Sequence, residues 1–284
     1  MRALDPEVVE VIWRAVEALI PARQVTHPLG CHRQRASDRA CFGVMLVRLA
    51  TGCSWEDAER LCGSEVSDTT VRSRRDEWIA AGVFDAIAEE AIGGYDRIIG
   101  LDLSDVAVDG CLHKAPAGGE GTGPNPTDRG KLGWKWSILT DRNGIPLGWM
   151  IDGANRNDSV LLAPTLDHAA GRGLLTEIDT LWLDRGYDSH VTRQRLTERG
   201  IANPIIAKKR KRNGGQGAAN APMGLRWPVE RTNSWLSNFG QLRRNTDRST
   251  PHRLAQFALA VVVLLTAKLI DWRKRWSPDL SPIR

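Results

Sequence analysis

The hydrophobic pattern of the chain changes near residue 98, and this change limits the possible folds more than any other feature. Before it, a capping Ser37 is followed by apolar residues at helical spacing, namely Phe42, Met45, Leu46 and Leu49. After it, short β-rich runs alternate with helical segments, and the first of these runs is the strand core 106–109. The pattern therefore predicts an all-helical region over residues 1–95 and an α/β domain over residues 96–284.

Two short helices in the first region have the spacing of a helix-turn-helix. Ser54 is the predicted cap of one helix, and Ser67 or Asp68 opens the next helix, which ends at Gly82. In a helix-turn-helix the start of the second helix meets the DNA bases. The predicted DNA contacts in this region are therefore Thr69, Thr70, Arg72 and Arg74. The same pattern also fits a solvated helical bundle that takes no part in DNA binding.

The second region begins with a strand and a hairpin and continues as alternating helices and strands. An Asn-Gly pair within the turn 141–144 joins two apolar runs, which is a strong hairpin signal. The other expected elements are strands over 180–184 and 201–207, and helices over about 158–170, from Ser189, over 225–245 and over 251–272. This order predicts a mixed sheet with helices on both faces.

Basic residues are in modest excess, with 39 Lys and Arg against 34 Asp and Glu and a net charge of +5. Such a surplus permits an anionic partner without requiring one. Its distribution is more informative, because the run 208–212 and the pair Arg243-Arg244 both lie in the last third of the chain. We expect them to add sequence-independent affinity for nucleic acid, and the run alternatively fits a solvated loop.

Several other classes of protein are not indicated. The five cysteines form no CxxC pair and no two histidines have ligand spacing, so a zinc site is not expected. The amino-terminal residues include acids where a secretory signal needs an apolar run, and the apolar stretch 257–266 is too short to span a bilayer. These features predict a cytoplasmic protein that does not associate with membranes.

Three acidic residues lie where the predicted elements would bring them to one edge of the sheet. Asp109 interrupts an apolar strand, Asp184 ends another strand, and Glu230 lies in the first turns of a helix. Carboxylates that converge repel one another unless cations neutralise them, and their hard oxygen atoms suit Mg²⁺ or Mn²⁺. Each acid could instead cap a turn or pair with an arginine, and four other acids compete for the role: Asp102, Asp105, Asp188 and Glu198.

Four sequence blocks resemble the DDE transposases of bacterial insertion sequences, in the insertion-sequence-five group. The blocks are VDGCLHKAP, the segment 118–158, LDRGYDS and RWPVERTNSWLSNFGQLRR, and the resemblance covers residues 37–272. It implies a ribonuclease-H-like catalytic domain and a helical DNA-binding region. It also implies that Asp109, Asp184 and Glu230 bind two Mg²⁺ ions, for which Mn²⁺ can substitute.

The same resemblance implies cut-and-paste transposition, which is metal-dependent cleavage at the ends of a DNA element followed by strand transfer. The implied partners are double-stranded DNA, as terminal inverted repeats and as target, and a second copy of the chain in a homodimer on DNA. The implied location is the bacterial nucleoid. Two alternatives are a ribonuclease-H-like nuclease without strand transfer and a DNA-binding regulator with an inactive catalytic domain, although the intact carboxylates disfavour the latter.

Further DNA contacts are expected around the three carboxylates, partly from the resemblance and partly from charge. These candidates are Lys131, Lys135, Arg185, Lys208, Lys209, Arg226, Arg231, Asn233, Arg243 and Arg244. The chain departs from the related signature at two places, since Met223 stands at its Tyr position and Ser237 at its Lys position. Arg243 or Arg244 could replace the contact that the missing Lys would make.

Overall fold

The structure is a computed structural model that describes residues 3–22, 35–207 and 227–276. It divides into two compact units. The helical unit comprises Met1–Gly94, Asn238–Arg243 and Pro251–Arg284, and the sheet unit comprises Tyr95–Ser237 and Arg244–Thr250. The predicted division into residues 1–95 and 96–284 stays a prediction, and the carboxyl-terminal helices lie in the helical unit rather than with the sheet.

The helical unit begins with helices whose starts match the predicted caps. Ser37, Ser54 and Ser67 each accept a hydrogen bond from the backbone N–H three residues later. The helices are α1 (Pro6–Leu19), α2 (Asp38–Thr51), α3 (Trp55–Leu61), α4 (Asp68–Ala80) and α5 (Val83–Ile98). The turn 62–67 joins α3 to α4, so the predicted pair of short helices is present.

The sheet unit contains the predicted strand, hairpin and alternating elements. Its strands are β1 (Asp105–Lys114), β2 (Gly123–Pro124), β3 (Leu132–Thr140), β4 (Pro146–Gly153), β5 (Thr180–Leu183) and β6 (Pro204–Ile206). Its helices are α6 (Asp158–Ala170), α7 (His190–Glu198) and α8 (Trp227–Ser237). Gly144 has a φ of 76° and supplies the left-handed backbone of the turn between β3 and β4.

The sheet is mixed. Strand β3 pairs antiparallel with β1 and β4, whereas β5 runs parallel to β1 and β6 runs parallel to β5. Strand β2 pairs with the first residues of β3. The main strand order is therefore β4-β3-β1-β5-β6, with the strand that carries Asp109 in the centre.

Helices cover both faces of this sheet because side chains alternate along each strand. Val106 and Val108 of β1 join the apolar core that contains Leu162 of α6. Asp109 points to the other face, where it bonds to Asn233 of α8. The sheet unit is thus an α/β mixed sheet flanked by helices, as predicted.

The last part of the chain differs from the prediction of one helix over 225–245. The structure has α8 up to Ser237 and then a short helix α9 (Gly240–Arg243), followed by α10 (Thr250–Trp276). After the break, Gly240 lies so close to the backbone of Thr51 and Gly52 that a Cβ would overlap with it. This contact is long-range, so helical periodicity does not reveal it.

The long helix α10 supplies core to the helical unit. Ala255 and Leu259 line the same small cavity as Met45 and Leu49 of α2, and the predicted burial of the apolar stretch 257–266 is largely confirmed. Among the described residues, one helix, α10, is long and apolar enough to cross a membrane. Within its most apolar stretch of 18 residues, 67% is buried inside the protein. Core helices of globular proteins pass the same test, so this is weak support for a span.

Candidate active site

Asp109 and Asp184 are brought together by strand pairing. The parallel register of β1 and β5 sets Ala107 opposite Trp182, and continuing it by two residues sets Asp109 beside Asp184. Asp184 directly follows β5, and its carboxylate accepts a hydrogen bond of 2.6 Å from the backbone N–H of Gly186. The two acids therefore lie side by side where β5 ends and β1 continues.

The Asp109 carboxylate is held by a relay of hydrogen bonds from the sheet through α8. Trp136 Nε1 donates to Asn233 Oδ1 over 2.8 Å, and Asn233 Nδ2 donates to Asp109 Oδ2 over 3.0 Å. Because an indole N–H can only donate, it fixes which end of the Asn233 amide faces Asp109. Asn233 is 6% exposed. The prediction that it contacts DNA phosphates is therefore wrong, since its amide is buried between two protein groups.

Glu230 lies on α8, the helix that contacts Asp109 through Asn233, and it completes no metal site among the described residues. It is exposed in the first turn of α8, three residues before Asn233 and so on the same side of the helix. Within residues 3–22, 35–207 and 227–276, no three His, Cys, Asp or Glu side chains form a group that could hold a metal ion. The structure thus brings two of the three predicted acids together.

A fourth acid, Asp158, lies close to the pair and was not predicted. The phenol of Tyr187 is buried, and burial is the main reason that its pKa lies well above the usual value. The charges of Asp158, Asp109 and Asp184 raise this pKa further. Three carboxylates therefore surround one buried, protonated phenol. The sequence carries only a general signal for Asp158, which is its place in the first turn of α6 after the cap Asn157.

Lys135 is the partner of this fourth acid and is not available to DNA. Its Nζ donates to Asp158 Oδ1 over 2.6 Å and to the carbonyl of Arg156 over 2.8 Å. Only 5% of Lys135 is exposed, so the prediction that it grips DNA is wrong. Gly110 lies beneath the pair, because a Cβ there would collide with the Asp158 carboxylate. The Asp-Gly step at Asp109 therefore leaves room for an ion pair on the opposite face of the sheet.

A neutral polar layer separates α8 from the sheet beyond Asp109. The ring of His113 stacks on Trp136 with centroids 3.9 Å apart, and its Nε2 lies 3.0 Å from Cys111 Sγ. Burial lowers the pKa of His113 to about 4, and burial likewise raises the pKa of Cys111 to about 11. Both groups are therefore neutral near pH 7. Ser237, at the position of the family's Lys, donates to the Asn233 carbonyl over 2.6 Å, so this layer holds a hydroxyl instead of a cation.

Arg231 anchors α8 to the hairpin turn. Its guanidinium donates to the carbonyl of Asn143 over 2.6 Å and lies over the rings of Trp227 and Trp235, with centroid distances of 4.0 and 4.6 Å. Burial lowers its pKa. These contacts explain an Arg here without DNA, and a phosphate contact by Arg231 stays a prediction.

The helical unit corrects one predicted DNA contact. Val71, Arg74, Arg75 and Trp78 recur at helical spacing and form the buried face of α4. Arg74 is 4% exposed and pairs with Asp38 and, at 3.3 Å, with Glu77. The prediction that Arg74 reads a base is therefore wrong. The apolar Val71 and Trp78 mark this face in the sequence and could have revealed the burial.

The remaining candidates at the start of α4 lie outside that buried face. Thr69 and Arg72 are exposed, and Arg72 pairs with Asp68 one turn earlier. Thr70 is half-buried, and its hydroxyl lies 2.9 Å from that of the capping Ser67. These three positions stay predictions.

Four predicted contacts elsewhere are exposed cations, namely Lys131, Arg185, Arg243 and Arg244. Arg185 directly follows Asp184, and Arg244 forms an isolated backbone bridge with Lys114 at the end of β1. The candidates Lys208, Lys209 and Arg226, the rest of the run 208–212, and the departure at Met223 lie outside the described residues.

The sheet unit has two neighbouring carboxylates at a strand end, and the comparison with protein families shows which class of protein this is. The family "Transposase DDE domain" matches residues 100–266, so the chain belongs to the DDE transposase family. Membership carries a dependence on divalent metal ions. A second family, "Putative transposase of IS4/5 family", matches residues 10–88. The expected resemblance is confirmed.

Two curated relatives come from an insertion element of Burkholderia cepacia. The chain is 45% identical over 133 residues to the "Putative transposase for insertion sequence element IS402", and this match covers 45% of the chain and 60% of that protein. It is 33% identical over 123 residues to the "Insertion element IS402 uncharacterized 16.2 kDa protein", covering 43% of the chain and 82% of the relative. The chain thus spans less than two thirds of the first relative.

Two solved structures of the Mos1 transposase are similar only at a low level. The paired-end complex with the left transposon end has a TM-score of 0.28, and the mariner paired-end complex with Mn has a TM-score of 0.31. Both are 11% identical to the chain, covering 91% and 97% of it and 82% and 88% of the solved chains. Similarity at this level adds nothing to the assignment, which rests on the family match.

Proposed function

We propose that this protein is a transposase that excises an insertion sequence from DNA and joins it to a target by cut-and-paste transposition. The observation that carries the proposal is the strand register that sets Asp109 beside Asp184, in a chain of the DDE family. Glu230 is the third catalytic carboxylate, supported by its place one turn before the residue that holds Asp109.

The paired carboxylates fit a divalent cation by their chemistry. Two adjacent carboxylates repel each other unless a cation neutralises them, and hard oxygen donors suit Mg²⁺ or Mn²⁺. Asp109 and Asp184, with Glu230 as a further ligand, would hold two Mg²⁺ ions, for which Mn²⁺ substitutes. Bound ions would neutralise charge on the attacking and leaving oxygens of an in-line phosphoryl transfer. Asn233 fixes the Asp109 carboxylate in place, and Arg231 fixes the helix that carries Glu230.

The proposed partners are the terminal inverted repeats of the element and a target duplex, bound by a homodimer. Phosphate contacts position a duplex, whereas contacts to base edges give sequence preference. The exposed cations Lys131, Arg185 and Arg244 of the sheet unit suit the first task. The exposed Thr69 and Arg72 of the helical unit suit the second. The protein would act in the bacterial cytoplasm, on the DNA of the nucleoid.

The test is a cleavage and joining reaction with the element's own ends, a target plasmid and Mg²⁺ or Mn²⁺. We expect strand cuts at the element ends and covalent joining of the freed 3′ ends to target DNA. Asp109→Asn, Asp184→Asn and Glu230→Gln should each lower both products at least about 100-fold. Asp188→Asn is the matched control, because Asp188 lies four residues after Asp184 and pairs with Arg193.

The outcomes separate the alternatives. Cleavage without joined products would replace transposition by nuclease activity. Binding of the ends without any cleavage, in either metal, would favour a regulator. Wild-type activity in one of the three variants would remove that residue from the catalytic set.

A further inference from the structure

The sheet unit has a second candidate site, a basic pocket at the carboxyl end of β1. Its volume is about 400 Å³, within the size range of small-ligand sites. The residues that line it are Lys114, Pro116, Asp128, Lys131, Leu132 and Arg244. Lys114 is the last residue of β1, so the basic pocket lies five positions along this strand from Asp109.

Backbone hydrogen bonds hold the three segments that form the basic pocket. The carbonyl of Lys114 accepts a bond of 2.8 Å from Asn245 N–H, which fixes the segment that carries Arg244. The N–H of Ala115 donates to the Leu132 carbonyl over 3.0 Å. The N–H of Lys131 donates over 3.0 Å to the carbonyl of Asp128, which closes the turn between them. The side chains of the pocket therefore start from fixed backbone positions.

The charge of the basic pocket favours an anion. Among the described residues, three cations line it against one acid, and Lys114, Lys131 and Arg244 are all exposed. Lys114 Nζ lies 3.9 Å from Asp128 Oδ2, which is too long for a hydrogen bond, so this pairing is weak. A net positive charge of about two remains for a ligand. Pro116 and Leu132 add apolar surface, and Leu132 is 47% exposed.

The distance between the basic pocket and the carboxylate of Asp109 indicates which part of a DNA duplex could reach the pocket. Lys114 lies five positions after Asp109 on β1, which corresponds to roughly 16 Å at 3.3 Å per residue. The same length of duplex contains about five base pairs. A phosphodiester with its sugar combines an anion with an apolar body, as the basic pocket does.

We propose that the basic pocket binds the DNA backbone about five base pairs from the phosphate that is cleaved at Asp109. The proposal rests on the proposed transposase function. Lys114, Lys131 and Arg244 contact phosphate oxygens, and Leu132 packs against a sugar. Asp128 limits the affinity, because among the described residues it is the acid that lines the pocket.

The experiment compares the full-length protein with a triple variant, Lys114→Gln, Lys131→Gln and Arg244→Gln. The control loses the same charge from exposed residues of the sheet unit outside the pocket, by Arg97→Gln, Arg142→Gln and Arg193→Gln. One readout is the slope of log affinity against log salt on a terminal duplex. The other is phosphate-ethylation interference, which maps the phosphates that binding requires.

We expect the triple variant to flatten the salt slope by about 0.9 for each lost phosphate contact. It should also lose the interference signal about five base pairs from the cut, while the control variant keeps that signal. Asp128→Asn should have the opposite sign and tighten binding severalfold, because it removes the one acid. An unchanged interference map in the triple variant, or weaker binding by Asp128→Asn, overturns the proposal.

Two further arms separate this site from related explanations. Inorganic phosphate should displace DNA no more than sodium chloride does at equal ionic strength, and a stronger effect would make the pocket a free-phosphate site and overturn the proposal. Cleavage by the wild-type protein, measured on the same duplex, reports the transposase function separately. If the wild-type protein cleaves the duplex but the triple variant has an unchanged interference map, the DNA contact at the basic pocket is rejected and the transposase function is not.

Discussion

Asn233 stands between Trp136 and Asp109 and bonds to each with a different atom of its amide. A carboxylate that accepts a hydrogen bond from a fixed donor keeps one rotamer, which is what a metal ligand needs. Asn233 is therefore a positioning residue for Asp109. Trp136 affects Asp109 indirectly, because its N–H donates to Asn233 Oδ1 and so orients the Asn233 amide.

Substitution of Asn233 should affect cleavage more than folding. Asn233→Ala removes a donor to a charged acceptor, which is typically worth about 1.5–3 kcal/mol. We expect the single-turnover cleavage rate to fall roughly 10- to 100-fold. Trp136→Phe keeps an aromatic side chain but loses the indole N–H and part of the ring volume, and because Asn233 can still donate to Asp109, the cleavage rate should fall less than in Asn233→Ala. Asn233→Asp should be the most damaging change, because it sets a second carboxylate against Asp109.

The measurements are cleavage rate, Mn²⁺ affinity of the DNA-free protein by calorimetry, and melting temperature. A positioning role requires the Mn²⁺ affinity to fall together with the cleavage rate. Asn203→Ala is the control, since Asn203 is exposed and its side chain donates to the Thr180 hydroxyl, far from the Asp109 carboxylate in the strand order. If Asn233→Ala lowered the melting temperature but left the Mn²⁺ affinity unchanged, Asn233 would be structural.

At the scale of elements, α8 rests on the sheet through a neutral layer whose charge state depends on pH. His113 lies 8% exposed between Trp136 and Ser237, and its pKa is lowered to about 4 by burial. Its ring faces Cys111 and Ser237, and the carboxylate of Asp109 lies on the same strand. The folded protein therefore prefers the neutral imidazole.

The sign of the pH dependence follows from this preference. The unfolded chain binds a proton at His113 near pH 6.5, whereas the folded protein does so only near pH 4. The contribution of His113 is thus fully present above pH 6.5 and is lost as pH falls toward 4. Between pH 8 and pH 5 we expect the free energy of unfolding to fall by about 2 kcal/mol from this residue.

Urea denaturation at pH 8 and pH 5 tests this, with His113→Gln as the variant. The variant should be less stable at pH 8 but lose less stability on acidification than the wild type. His168 also has a pKa lowered to about 4 by burial, so part of the acid sensitivity should remain. His190→Gln, at an exposed position, is the control. An equal acid-induced loss in wild type and His113→Gln would contradict the assignment.

The elements themselves were largely predictable from sequence, because caps and periodicity are local. The Asn-Gly turn and the serine caps gave correct boundaries for the hairpin and for α2 to α4. The pairing of Asp109 with Asp184 also followed from acids placed on two strands. The roles of Arg74, Lys135 and Asn233 did not, because a polar residue looks the same in sequence whether it faces water or a distant partner.

At the scale of the whole molecule, the carboxyl-terminal segments 238–243 and 251–284 belong to the helical unit. Close backbone contact between Gly240 and residues Thr51 and Gly52 joins α9 to the end of α2. Gly52 also has a φ of 79° and closes α2. A fragment of residues 1–95 lacks α9 and α10, so it would expose Met45 and Leu49 of α2, which line a cavity together with α10. The helical unit is therefore discontinuous in sequence, and its stability depends on both ends of the chain.

A pair of Gly→Ala substitutions tests this discontinuous unit. Gly240→Ala places a methyl group against the backbone of Thr51, which cannot move as a side-chain end can, so the free energy of unfolding should fall by about 1–3 kcal/mol or more. Gly43 lies inside α2, and no neighbouring atom lies within 4 Å of the Cβ that Gly43→Ala would add. This substitution should raise the free energy of unfolding by about 0.5–1 kcal/mol. Urea denaturation of the full chain, followed by tryptophan fluorescence, measures both. If Gly240→Ala were as stable as Gly43→Ala, the close contact of α9 with α2 would not exist in solution.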